Sequence, residues 1–146
     1  MLTVRQLLQS KGLQVWSVPP KATVYQALEI LADKDVGALL VMEGETLVGI
    51  FSERDYARRG ILQHRSSKET SVAEIMTPNV LYVRPDQTIE DCMALMTQKH
   101  IRHLPVLEGD TLVGVITIGD AVKAVIADQE VMISSLENYI QGGYGH

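Results

Sequence analysis

Two short motifs in this sequence place a hydroxyl three residues before a carboxylate, Ser52-x-x-Asp55 and Thr117-x-x-Asp120. Each motif follows an apolar run, so the hydroxyl can cap a helix and the acid can lie in the first helical turn. The same geometry offers backbone N–H groups to a phosphate and a carboxylate to the two hydroxyls of a ribose. The spacing is also typical of an ordinary helix cap, and the motifs alone leave both interpretations open.

The two motifs end two copies of one longer pattern. Residues 18–55 and 83–120 align at a constant offset of 65 without a gap, and 13 of the 38 aligned pairs are identical. A unit present only twice cannot form a solenoid, which needs three or more units to bury its core. We therefore expect two similar halves packed about a pseudo-twofold axis, with two related clefts where they meet.

Each copy predicts the order strand, helix, strand, strand, helix. Thr23 with Gln26, and Thr88 with Asp91, form capping-box patterns ahead of apolar residues at helical spacing. Two apolar runs joined through a Glu-Gly pair predict a hairpin in each copy. The near-continuous apolarity of these runs predicts burial on both faces.

The C-terminal region predicts one long helix, from about residue 120 to residue 140. Its apolar positions form one stripe, and the part beyond residue 128 has no counterpart in the repeat. Such a stripe needs a partner, either a second subunit or another surface of the same chain. The glycine-rich tail, residues 142–146, is expected to be flexible.

The composition predicts an ordinary globular chain with room for one domain. It has 146 residues, 46% hydrophobic and 21% charged, and no run approaching the roughly 20 apolar residues of a membrane span. The N-terminus does not read as a signal peptide. The net charge of −5 argues against broad nucleic-acid binding. A single cysteine, Cys92, fits a reducing, cytoplasmic compartment and is expected to be a small core residue.

Enzymatic chemistry has little support in the sequence. No nucleophile, base and orienting group can be assembled, and there is no Walker loop and no G-x-G-x-x-G motif. His100 and His103 have a spacing that can chelate a metal, but no further ligand stands in fixed relation to them. We expect no metal site and no enzyme.

These features together resemble a tandem pair of CBS domains, the module named after cystathionine β-synthase. The resemblance covers about residues 1–126 and rests on Ile75-Met76-Thr77-Pro78, Ile101-Arg102-His103-Leu104-Pro105-Val106, Leu112-Val113-Gly114-Val115-Ile116-Thr117 and the two hydroxyl-x-x-Asp motifs. It implies an α+β fold, a Bateman-type module of two βαββα repeats. Residues 1–66 would form the first repeat, residues 67–127 the second, and residues 128–146 a C-terminal extension.

The resemblance also implies a function. CBS pairs bind adenosine-containing ligands (AMP, ADP, ATP, NAD or S-adenosylmethionine) in their clefts, so we expect a regulatory module that senses an adenine nucleotide and modulates an unknown partner. A homodimer is expected, with no nucleic acid and no membrane among the partners. The alternative is a structural dimerisation module whose clefts stay empty.

The resemblance suggests unequal clefts. Basic residues at the places of Arg102 and His103 contact phosphates in similar proteins, whereas Gly37 and Ala38 stand at the matching places of the first copy. The prediction is therefore that the Asp120 cleft binds phosphate better. The predicted nucleotide contacts are Ser52, Arg54, Asp55, Thr77, Val80, Arg102, His103, Pro105, Thr117 and Asp120.

The segments that enter the repeats are expected to lie over the adenine bound mainly by the other repeat. Thr77 and Val80 would then lie at the Asp55 cleft, and residues 11–15 at the Asp120 cleft. The first copy departs from the family pattern here, because Leu8-Gln9-Ser10-Lys11-Gly12 stands where the second has Met76-Thr77-Pro78.

Overall fold

The computed structural model describes the backbone of residues 1–145 and the side chains of residues 1–141. The expected flexibility of the tail, residues 142–146, lies outside the residues that are fully described. The helices are α1 (Val4–Lys11), α2 (Val24–Lys34), α3 (Glu53–Asp55), α4 (Val72–Ile75), α5 (Ile89–Lys99) and α6 (Ile118–Gly145). The strands are β1 (Ser17–Val18), β2 (Ala38–Glu43), β3 (Thr46–Ser52), β4 (His103–Glu108) and β5 (Thr111–Thr117).

The predicted hairpins are confirmed in both repeats. β2 pairs antiparallel with β3, and β4 with β5, in the same relative register and with the same irregularity near the turn. Gly44 and Gly109 lie in the turns at φ 63°, a left-handed conformation that glycine adopts without a Cβ penalty. β3 also contacts β5, so the two hairpins meet where the repeats join.

The predicted capping boxes are also present. The side chains of Thr23 and Thr88 each accept a hydrogen bond from the backbone N–H three residues later. The side chains of Gln26 and Asp91 accept one in turn from the backbone N–H of the cap residue. α3 continues beyond Asp55 as a π-helical turn, Tyr56–Gly60, and a 3₁₀ turn, Ile61–Gln63. The predicted second helix of the first repeat is therefore present at its expected position, but only Glu53–Asp55 is α-helical.

The first strand differs between the repeats. In the first repeat β1 pairs parallel with β2, and the N–H of Leu40 donates to the carbonyl of Trp16. In the second repeat this strand is reduced to one bridge, Val83 beside Val106. Pro105 stands where the first repeat has Leu40 and has no N–H to donate, so the equivalent hydrogen bond cannot form.

The entry helices exchange between the repeats. α1 buries Val4, Leu7 and Leu8 in the core of the second repeat, while α4 buries Val72 and Ile75 in the core of the first. Matching backbone bonds hold them, and short bridges pair Thr3 with Thr88 and Ser71 with Thr23. The packing therefore crosses the boundary predicted at residues 66 and 67.

The structure is an α+β fold of two similar repeats, as the sequence predicted. Helix α6 is longer than expected, since it begins at Ile118. Its first turns pack on α1, α5 and β5, whereas the described residues from Asp128 onward are exposed.

Candidate functional site

The Asp55 carboxylate is fixed by the start of its own helix. Its Oδ2 accepts from the N–H and the hydroxyl of Ser52, at 2.9 and 3.0 Å. Its Oδ1 accepts from the Thr77 hydroxyl at 3.0 Å. The residue is only 7% exposed, so these bonds hold both oxygens in place beside the cavity that they line.

The cavity at Asp55 is the larger of the two at the seam, the line where the repeats meet, with a volume of about 630 Å³. It is lined by residues from three segments, 52–59, 77–81 and 101–103, and by Gly37 and Ile50. The first comes from the first repeat, the last from the second, and the middle one connects the repeats. Four arginines line this cavity: Arg54, Arg58, Arg59 and Arg102.

Two of these guanidinium groups are held by backbone carbonyls. Arg54 donates to the carbonyl of His100 at 2.6 Å, which ties the start of α3 to the second repeat. Arg59 donates to the carbonyl of Met76 at 3.0 Å and lies 4.0 Å from Asp55 Oδ1. Both side chains are thereby held at the wall of the cavity. Such a cavity suits an anion that also carries a diol.

The cleft near Asp120 has the same cap but a different occupant. Asp120 Oδ2 accepts from the N–H of Thr117 at 2.9 Å, and it also forms an ion pair with Lys11 Nζ at 2.6 Å. Partial burial would raise the pKa of Asp120, but the Lys11 and Thr117 hydrogen bonds outweigh it and hold that pKa below its usual value. The carboxylate is therefore ionised and already paired.

The cavity beside this second carboxylate is smaller, about 380 Å³. Thr117 and Lys11 line it together with Trp16 and Asp35, while Asp120 lines a separate depression between α1 and α6. No arginine is among the described residues that line it.

His103 and Gly37 lie between the two cavities and line both. A Cβ on Gly37 would lie 3.6 Å from His103 Cε1, so the imidazole packs closely over this glycine. Burial lowers the pKa of His103, and the positive charges of Lys11 and Arg102 lower it further against the opposing Asp120. The imidazole is therefore neutral near pH 7.

The structure brings most of the predicted residues together, but in one cleft. Ser52, Arg54, Asp55, Thr77, Val80, Arg102 and His103 all line the Asp55 cavity. Arg102 lines this cavity and not the one beside Asp120, contrary to its predicted place. His103 lines both cavities, so the ranking of the Asp120 cleft loses one of its two basic residues. Each cleft combines the helix start of one repeat with the strand head of the other, so Arg102 lines the opposite cavity although its carbonyl accepts from the N–H of Ile118 at 2.9 Å.

Pro105 is the other predicted residue that differs. It is buried in β4, and its carbonyl accepts from the N–H of Val83 at 3.0 Å. It is not among the residues that line the described cavities. Its position beside Val83 gives it a role in strand pairing.

The sequence interpretation missed Asn79 and the full role of Lys11. Asn79 lines the Asp55 cavity in a left-handed conformation, at φ 54°, in the turn after Pro78. For Lys11 a signal was present, because the first entry segment departs from the second at this point.

No group of three or more His, Cys, Asp or Glu side chains that could hold a metal is found among the described residues. The carbonyl of His100, at the C-terminal cap of α5, accepts from Arg54.

Cys92 is buried, and burial with the neighbouring Asp91 raises the pKa of its thiol to about 11, which leaves it unreactive. No helix in the described part of the chain has the length and hydropathy to cross a membrane.

Comparison with known proteins agrees with this geometry. The family model of the CBS domain matches residues 4–61 and 72–127. The CBS domain-containing protein CBSX3, mitochondrial, of Arabidopsis thaliana is 39% identical over 152 residues, covering 97% of this chain and 73% of the relative. The CBS domain-containing protein YhcV of Bacillus subtilis is 36% identical over 107 residues, covering 73% of this chain and 76% of the relative.

Solved structures give the same result. A putative signal-transduction protein with CBS domains from Burkholderia ambifaria superposes with a TM-score of 0.83 at 52% identity, covering 87% of this chain and 96% of that one. Two family matches in tandem, relatives over most of the chain and a shared fold together establish that this chain belongs to the CBS domain family, as a pair of CBS repeats.

Proposed function

We propose that this chain is a regulatory module that binds an adenine nucleotide (AMP, ADP, ATP or NAD) in the Asp55 cleft and modulates a partner protein. One observation carries the proposal: a single cavity contains a fixed, nearly buried carboxylate and four guanidinium groups. The Asp55 carboxylate can accept the hydroxyls of a ribose diol once the Ser52 and Thr77 hydroxyls rotate away from it, and one guanidinium group can donate two parallel bonds to a phosphate.

The charge of the cavity favours ligands with phosphates. Arg54, Arg58, Arg59 and Arg102 outnumber the two acids that line it, Glu53 and Asp55. We expect nucleotides with two or more phosphates to bind most tightly and S-adenosylmethionine, which carries a sulfonium, to bind weakly. The volume of about 630 Å³ lies within the range of small-molecule sites.

The fold is compatible with adenosine compounds. The CBS domain pair of protein MJ0100 shares the fold at 22% identity and a TM-score of 0.76, and it is described in complex with 5′-methylthioadenosine and S-adenosyl-L-methionine. At this identity only the fold is shared, so the choice of ligand for this chain rests on its own residues.

Regulation would follow from the position of the cavity. A ligand there contacts Asp55 of the first repeat, Arg102 of the second and Thr77 between them. Such a ligand shifts the angle between the repeats if it binds one arrangement more tightly than another. This proposal makes the chain a sensor and not an enzyme, and incubation with ATP or NAD should give no product.

A homodimer is the expected form of the module. Met132, Ile133, Leu136 and Ile140 of α6 are each more than half exposed, although they form an apolar stripe. A second copy of α6 could cover this stripe, which also supports the alternative of a structural dimerisation module. Light scattering after gel filtration should give a dimer mass, and Leu136→Glu should shift it toward the monomer.

The cellular compartment is a prediction that rests on the single cysteine, Cys92. A reducing compartment such as the cytoplasm fits this composition. One relative is named as mitochondrial, so a test by localisation of the full chain has two definite alternatives.

A thermal-shift screen tests the nucleotide proposal. AMP, ADP, ATP, NAD and S-adenosylmethionine are added at millimolar concentration, with tripolyphosphate as a control for unspecific anion binding. A ligand that binds only the folded chain must raise the melting temperature. We expect ATP and ADP to give the largest rise; no rise with any nucleotide would refute the proposal and leave the structural module.

A further inference from the structure

In the second cleft the ammonium group of Lys11 makes two hydrogen bonds that correspond to the two made by the N–H and the hydroxyl of Thr77 in the first cleft. In the first cleft Thr77 donates its N–H to the carbonyl of Ile50 at 2.8 Å and its hydroxyl to Asp55 at 3.0 Å. Val115 and Asp120 are the repeat counterparts of Ile50 and Asp55. Lys11 Nζ donates to both of them, at 2.6 Å to the Val115 carbonyl and at 2.6 Å to Asp120 Oδ2.

The difference arises from the length of the entry helices. Both helices begin with a capping box, at Thr3 and at Ser71, and both pass a strand glycine closely, Leu8 at Gly114 and Met76 at Gly49. α4 then ends at Ile75, whereas α1 continues to Lys11, 8 residues against 4. The additional turn brings the lysine over the second carboxylate.

The two occupants differ in what a nucleotide must displace. The side chains hydrogen-bonded to Asp55 are the neutral hydroxyls of Ser52 and Thr77, which can rotate away, while Arg59 lies 4.0 Å from Oδ1, beyond hydrogen-bond distance. The Lys11 ammonium is charged and partly buried with Asp120, at 29% and 23% side-chain exposure, so it forms the stronger, charge-assisted bond. A ribose diol has no charge with which to replace it.

We infer that Lys11 is the residue that limits this chain to one nucleotide, because it bonds Asp120 and lies between that carboxylate and the second cavity, where Asp120 would accept the diol. The inference rests on the proposed function of the first cleft. The remainder of the second cavity suits a purine nucleoside: it is lined by Trp16, Val36 and Leu40 and has a volume of about 380 Å³. Its lack of arginine predicts that, once opened, it takes adenosine as readily as ATP.

Titration calorimetry with ATP and adenosine tests this in four proteins. The unchanged chain should bind one ATP. Asp55→Asn should lose that binding at least tenfold, since the amide has no charge and replaces one acceptor oxygen by a donor. Adding Lys11→Met to Asp55→Asn should restore adenosine binding, now at the second cleft. Adding Lys21→Met instead should restore nothing, because Lys21 is an exposed lysine far from Asp120 in the fold.

Each outcome separates the two proposals. If the unchanged chain binds neither ligand, the proposed function fails. If the unchanged chain binds two equivalents of ATP, or if the Asp55→Asn, Lys11→Met chain binds no adenosine, the function stands and the role of Lys11 is overturned. Lys11→Gln, which keeps a donor but no charge, should give the same recovery in case the methionine variant folds poorly.

Discussion

The Asp55 and Asp120 clefts are built from aligned sequence, yet four arginines line the first while in the second the carboxylate forms a close ion pair with Lys11. Both carboxylates sit three residues after a hydroxyl in a capping box. The Asp55 cleft gains Arg102 from the opposite repeat, whereas the Asp120 cleft gains Asp35 and is closed by Lys11. A repeated motif thus fixes the local geometry of a site, and the neighbours that arrive from the other repeat decide what it can bind.

Replacing each of the two acids by alanine should give the largest difference in ATP affinity between the clefts. Asp55→Ala should lower ATP affinity by about 100-fold or more, because bonds from the ribose hydroxyls to a charged acceptor are worth roughly 1.5–3 kcal/mol each. Asp120→Ala should lower it by less than about threefold. Calorimetry on both variants decides; a larger loss at Asp120 would restore the ranking that the sequence suggested.

Gly49 of β3 and Gly114 of β5 allow the two entry segments to be compared through the free energy of unfolding. A methyl at Gly49 would collide with Met76 and lie 3.1 Å from the Thr77 carbonyl oxygen, whereas one at Gly114 would meet only the Leu8 side chain, at 2.8 Å from Cδ2. Gly49→Ala should therefore reduce the free energy of unfolding by about 1–3 kcal/mol, and Gly114→Ala by less. Urea denaturation measures both, and equal losses would contradict the asymmetry of the entry segments.

Replacing Arg102 tests whether a charged residue of the second repeat contributes to ATP binding in the Asp55 cavity. Arg102→Ala should weaken ATP by about tenfold, since one charge-assisted contact is lost, while adenosine affinity should hardly change. Arg84→Ala is the matched control, because Arg84 is exposed and packs over Tyr82 away from the cavity. A similar loss in both variants would indicate a general effect of net charge.

The smallest expected effect concerns His103, between the clefts. Its pKa in the folded chain lies below the ordinary 6.5 because of burial, Lys11 and Arg102, so the unfolded chain binds the proton more readily. The free energy of unfolding should therefore fall as the pH drops below about 6.5 toward the folded-state pKa. His103→Gln should show a flatter decline between pH 7.5 and pH 5.5 in urea titrations. An unchanged decline would mean that other groups cause it.

The fold could be predicted well from local patterns. Caps at Thr23 and Thr88 and the glycine turns of both hairpins depend on residues three or four positions apart, and such signals are readable in the sequence. The reduced first strand of the second repeat also has a cause in the sequence, because Pro105 has no N–H to donate. Its effect is seen only in the structure, where the segment at Val83 pairs with β4.

The site was predicted in its residue types but not in its assembly. Asp55, Thr77 and Arg54 were assigned to one cleft by the sequence, and they line one cavity. Arg102 was assigned to the other cleft because the β4–β5 hairpin pairs it with the Thr117 end of β5, whereas packing between the repeats brings its side chain to the cavity at α3.

The sequence by itself determined the two repeats, their elements and the two capped carboxylates, since these depend on periodicity and on neighbours along the chain. Only the tertiary structure decided which helix enters which core, which cleft receives Arg102 and where Lys11 lies. The physical reason is that burial of α1 and α4 in opposite repeats, and the one additional turn of α1, bring together groups far apart in the chain, such as Arg54 and His100, 46 residues apart, and Lys11 and Asp120, 109 residues apart. No local pattern records that distance.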